Sequence, residues 1–149
     1  MTVRSVMAGL VFGAVVPALA VAQPTTTTTT TTLPGGCVAE ASFSSLTCRT
    51  SALGAILQAA TDLGKTKTML TKQAAKLDAD LAAAQAQMGS GNAKKARTQL
   101  KRAGRVLVSM GFRLRSLNGR RQIAASTRAE LQDMVAALAK DMKTVRGTL

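Results

Sequence analysis

Few residues of this 149-residue chain are of a type and spacing that could do chemistry. Histidine is absent, which removes Ser–His and Cys–His nucleophile pairs along with the commonest general base. The acids are Glu40, Asp62, Asp78, Asp80, Glu130, Asp133 and Asp141. Asp78 and Asp80 stand two apart, which on a helix points them to nearly opposite sides. Glu130 and Asp133 share a face, but near a helix start, where acids complement the dipole; that role is preferred to a paired acid and base. Cys37 and Cys48 are the only cysteines. Their spacing is not that of a C-x-x-C redox motif, and a zinc site would need histidines or more cysteines. A Ser–Lys dyad is compatible with the composition, yet no motif marks one. Gly89-Ser90-Gly91 lacks the pattern of a phosphate loop. Met69, Met88, Met110, Met134 and Met142 sit in or beside apolar stripes and read as core filler rather than soft-metal ligands. The sequence therefore points away from an enzyme, and names no catalytic residue, no metal ligand and no cofactor.

Binding is the stronger class. The net charge is +13, and between Asp80 and Glu130 there is no acid, while eleven Lys and Arg occur there. Lys94, Lys95, Arg97, Lys101, Arg102, Arg105, Arg113, Arg115, Arg120 and Arg121 are the candidate anion-binding residues. Such a field attracts nucleic acid, anionic lipid headgroups and acidic polymers. Taken by itself, a charge run is more often a solvated face that only keeps the protein soluble, and that plain reading is preferred for the charge alone. Phe12, Phe43 and Phe112 are the only aromatics, so stacking on bases has little to use, and no DNA or RNA motif is present. Sequence-specific nucleic-acid binding is not expected. An anionic envelope polymer or a membrane surface is the expected partner.

The element that must position these cations is a helix over Asn92–Gly119. Ala96, Leu100, Ala103, Leu107, Met110, Leu114 and Leu117 recur at steps of four and three, which makes one apolar stripe. The cations fall mostly opposite. Val106 to Phe112 is apolar nearly all round, and splits the charge into Lys94–Arg105 and Arg113–Arg121. Val108 and Phe112 lie four apart on the charged side. Cover by a second neighbouring helix is the preferred reading; the other is an exposed apolar contact flanked by cations, suited to a membrane surface or an acidic partner. Gly104 and Gly111, seven apart, suggest a close helix approach, either within the bundle or across a homo-oligomer.

Three further helices supply partners for that stripe. The first begins around Ser42–Ser45 and ends before Gly64, burying Leu46, Leu53, Ile56, Leu57, Ala60 and Leu63. A second spans about Thr68–Met88, with Leu70, Ala74, Leu77, Leu81, Ala84 and Met88 inward. Asn92 is expected to cap the basic helix. Thr127 and Glu130 fit a capping box for the last helix, whose stripe is Leu131, Val135, Leu138, Met142 and Val145. Short connections between amphipathic helices predict an all-α, antiparallel up-down four-helix bundle.

Residues 1–22 read as a secretory signal peptide: Arg4, an apolar Val6–Val16, Pro17, then small residues ending at Ala22. Residues 23–36 form a Thr/Pro/Gly linker with eight consecutive threonines and the composition of a disordered tether. The helical domain occupies 37–149. Behind a signal peptide, an even cysteine count favours a Cys37–Cys48 disulfide that pins the domain's N-terminus.

The chain resembles small secreted bacterial proteins of unknown function with a Thr- and Pro-rich linker and a Cys pair. The resemblance rests on TTTTTTTTLPGGC, on Cys48 entering a helix, and on the basic segments KKARTQLKRA and RLRSLNGRR. It implies a helical secreted domain and no known activity. The expected function is that of an exported, non-catalytic structural or interaction domain, secreted or periplasmic, whose basic helix contacts anionic envelope surfaces. The alternatives are a helical assembly module without an anion role, and an enzyme using unmarked Ser, Lys or Asp chemistry.

Overall fold

The computed structural model describes residues 36–38 and 40–149. The expected signal peptide and all of the linker except Gly36 lie outside the described residues. The remainder is all-helical: α1 Phe43–Ala59, α2 Thr66–Gly89, α3 Ala93–Arg115, α4 Leu117–Gln122 and α5 Ala125–Thr148.

Helix α1 starts at Ser42, whose Oγ accepts the Ser45 backbone N–H at 3.2 Å, a side-chain cap for one of the orphan donors of the first turn. The Ser45 hydroxyl in turn donates to the Val38 carbonyl. Cys37 and Cys48 form the expected disulfide, with Cα atoms 5.8 Å apart. Two links thus tie the segment before α1 to its first two turns. The helix stops at Ala59, earlier than Gly64 marks. Its end is closed by the Lys67 ammonium, which donates to the Gln58 carbonyl at 2.6 Å and the Ala60 carbonyl at 2.8 Å. A cation there satisfies bare carbonyls and complements the dipole. Gly64 serves the following turn instead, with φ of +51°.

Helix α2 ends in a Schellman motif. Gly91 takes the left-handed conformation, its N–H donates to Met88 O, and the Asn92 N–H reaches back to Gln87 O at 2.8 Å. This explains a departure from expectation. Asn92 occupies the N-cap position of α3 but makes no side-chain cap; its amide instead turns back to Ser90. The end of α2 has recruited the residue that would have capped α3.

The basic helix also ends sooner than its sequence suggests. Ser116 breaks it with extended backbone, and its hydroxyl then accepts the Gly119 N–H at 3.2 Å to start the short α4. Gly119 is not a terminal cap but a contact point. A Cβ there would lie 2.5 Å from Arg113 O and 2.8 Å from Leu114 O, so only glycine lets α4 fold back on the end of α3. Leu117 leaves the apolar stripe and is 70% exposed.

Helix α5 begins after Ala124, without the capping box. The Thr127 hydroxyl is engaged elsewhere, donating to Asp62 Oδ2 at 2.8 Å across to the α1–α2 connection.

The core contains the expected stripes: Leu46, Leu53 and Leu57 from α1, Leu70, Leu77 and Leu81 from α2, Leu100, Leu107 and Leu114 from α3, and Leu131, Leu138 and Met142 from α5. Each such side chain withdrawn from water stabilises the fold by about 2 kcal/mol. Met88 is only half-buried. Helix α1 packs on α2 and α5, and α3 packs on α2 and α5, so the four long helices close around one core. Helix α4 and the buried Ile123 cover one end, where Thr66 donates to Gln122 at 2.9 Å. The pairs that face one another are Arg49 with Asp141 and Asp62 with Thr127, Gln73 with Ser109, and Gly104 with Met142 and Gly111 with Val135. Both glycines of α3 therefore face α5 within the chain. Neither is forced: a Cβ on Gly104 would sit 3.9 Å from Met142 Sδ, an ordinary contact.

A candidate anion-binding face on α3

Helix α3 buries Ala96, Leu100, Ala103, Val106, Leu107, Met110 and Leu114. At about 100° per residue, the centre of the opposite side is taken by Lys94, Lys101, Arg105 and Phe112, with Val108 close by. Arg97 and Arg115 flank this line toward α5, as Gly104 and Gly111 do. Lys95, Arg102 and Arg113 flank it toward α2.

Surface grooves border this face, and three of them run along α3. Toward α5, Lys94, Arg97, Thr98 and Lys101 meet Arg146 and Gly147 around about 530 Å³, with no carboxylate in the lining. Arg146 escaped the sequence reading because it stands one residue past the last stripe position of α5; pairing the end of α5 with the start of α3 would have found it. Toward α2, Arg102 and Arg105 share a groove with Gln73, Lys76, Asp80 and Ser109. The acid-free run of sequence is therefore not acid-free in space, since α2 brings Asp80 alongside. Gln73 Nε2 donates to Ser109 Oγ at 2.8 Å there, while Gln73 Oε1 and Asp80 Oδ2 are buried without a protein partner. The third groove lies along Val108, Phe112, Arg105 and Arg113 and reaches Ser116 and Asn118.

Val108 and Phe112 are 53% and 65% exposed. Among the described residues no second helix covers them, contrary to the preferred reading of the sequence. Both α2 and α5 pack against the flanks of α3 and leave its outer line bare. The Arg115 guanidinium carbon lies 5.3 Å from the centre of the Phe112 ring, within cation–π range.

The ten candidate residues do not form one patch. Lys94, Arg97 and Lys101 come together with Arg146; Arg102 and Arg105 stand across from Lys76; Arg113 and Arg115 frame Phe112. Lys95 is exposed on the α2 flank and lines none of the three grooves. Arg120 and Arg121 belong to α4, beyond the Ser116 break, are exposed, and line none of the three grooves. Among the described residues, the ion pair is Arg49–Asp141, and no cation of α3 has a carboxylate partner.

Asp78, on α2, is half-buried, with Oδ1 lacking a protein partner among the described residues; burial raises its pKa above the ordinary value of 3.8. It lines none of the grooves described above. Among the described residues no helix is long and apolar enough to cross a membrane. Comparison of the chain with protein-family models, with curated proteins and with solved structures finds no match.

Proposed function

We propose that the chain is an exported, non-catalytic interaction domain that presents the outer face of α3 to anionic material of the cell envelope. In this reading its four long helices run up-down and antiparallel, with α4 closing one end. Short connections support that arrangement, as do the facing pairs: Gly104 with Met142 and Gly111 with Val135 advance along α3 while retreating along α5. The disulfide suits an oxidising compartment, outside the cell or in the periplasm.

The observation that carries the functional reading is that the cations of α3, all exposed except the half-buried Arg113, form no ion pair with an acid among the described residues, so their field is left for a partner. Near an anionic surface each Lys or Arg contributes about 1 kcal/mol, and the effect falls off within a Debye length. Several acting together give measurable binding that salt removes.

The test is binding of the full chain to an anionic polymer and to anionic vesicles across a salt series. Reversing Lys101, Arg102, Arg105, Arg113 and Arg115 to Glu should abolish binding while the circular dichroism spectrum stays helical. A wild-type chain with no salt-dependent affinity for any polyanion ends the proposal.

A further inference from the structure

We infer that the α3 face is built for one kind of anionic partner, the headgroup region of a lipid bilayer, with Val108 and Phe112 entering the interface between flanking cations. This rests on the anion-binding reading and narrows it. A soluble polyanion would be served by charge alone. The face instead places two apolar side chains, 53% and 65% exposed, at the C-terminal end of the line that begins at Lys94, bordered by Arg105, Arg113 and Arg115. They are spaced four apart, so they project together, one turn above the other.

The surroundings fit an interface. Arg105 and Arg113 border the Val108–Phe112 groove, and Arg115 stands over the Phe112 ring. Long cationic side chains can hold their heads at the phosphate level while their stems lie along apolar surface. The Phe112 ring is wholly apolar and supplies the end that enters, while the Arg115 guanidinium over it supplies the end that stays wet. Lys94, Lys101 and Arg105 continue the same line over about 27 Å of helix, from Lys94 to Phe112, enough to lie along a headgroup layer. The contact is peripheral: the apolar stripe of α3 is spent on the core, and among the described residues no helix can span. Charge sets the affinity for anionic lipid, and the two apolar side chains set the depth.

The chain has no Trp or Tyr, so Phe112→Trp makes a single fluorescent reporter at the proposed point of entry. On vesicles of phosphatidylcholine with phosphatidylglycerol its emission should shift to the blue and become shielded from an aqueous quencher. With soluble polyphosphate it should do neither. A V108S/F112S chain should lose about tenfold or more in affinity for the mixed vesicles and keep its affinity for polyphosphate. Unshifted emission on vesicles that demonstrably bind the chain overturns the inference while leaving the anion-binding proposal standing. So does V108S/F112S binding vesicles as the wild type does, or a wild-type dimer that V108S/F112S dissolves, which would make a second copy the occupant of this face. Absence of binding to both vesicles and polyphosphate would end the broader proposal as well. Both substituted positions are exposed, and an unchanged thermal transition verifies folding.

Discussion

Arg49 of α1 and Asp141 of α5 form an ion pair through Nη1 and Oδ2, with only 6% and 23% of their side chains exposed. It joins the first and last long helices across the closing seam of the bundle. Nothing in the spacing of either stripe singles out this pair.

Breaking that pair from one side leaves a charge with little water around it. Arg49→Met or Asp141→Leu alone should cost about 3 kcal/mol, and the double variant should recover most of the loss, because a buried pair and an apolar pair of similar volume are near parity. Chemical denaturation of the two single variants and the double variant measures this. Single variants within about 0.5 kcal/mol of the wild type would show the pair to be a bystander.

The glycines should behave in opposite ways. Gly119→Ala drives a Cβ into the carbonyl oxygens of Arg113 and Leu114, and should cost about 1–3 kcal/mol. Gly104→Ala meets only Met142 Sδ at 3.9 Å and gains helix propensity, so it should stabilise by about 0.5–1 kcal/mol. Thermal melts of the two variants decide between these signs.

Reduction of Cys37–Cys48 opens a loop with a sequence separation of 11. In the chain-entropy account this should lower stability by about 3 kcal/mol, with the helical signal retained at low temperature. Unfolding curves with and without reductant test it; coincident curves would mean that the core alone holds the N-terminal segment.

Asp78 sets a pH dependence of unusual sign. Burial raises its folded-state pKa above 3.8, so the folded protein holds this proton more tightly than the unfolded chain does. Its contribution to stability is neutral at pH values below 3.8, turns unfavourable as pH climbs through the raised pKa, and stays unfavourable above it. Asp78→Asn should therefore raise stability at neutral pH and leave it little changed in strong acid. Denaturant midpoints for both proteins at a series of pH values give the difference; an equal midpoint at neutral pH counts against it.

The periodic parts of this fold are legible in the sequence. Leu70, Ala74, Leu77 and Leu81 are buried as their four-three spacing requires, as are Leu100, Ala103, Leu107 and Met110. What could not be read was local competition between neighbours. Asn92 and Thr127 both have the right type and place for a cap, but the Schellman turn takes one and Asp62 takes the other. Asn118-Gly119 has the look of a helix stop, yet the break comes at Ser116 and the glycine answers to a backbone contact. On the candidate face, the cations were visible as a run, whereas Arg146 and Asp80 arrive from other helices and only tertiary packing reveals them. The bareness of Val108 and Phe112 likewise depends on where α2 and α5 settle.

The exposed outer line of α3 has an evolutionary consequence. Its apolar stripe meets the core every three or four residues, while Lys94, Lys101, Arg105, Val108 and Phe112 are exposed and outside the core cluster of the described residues. Substitutions along that line are therefore nearly free of a folding penalty, and a lineage could retune what this surface recognises by drift and selection without passing through unstable intermediates. The inner half of the helix is constrained by packing, and the outer half only by use.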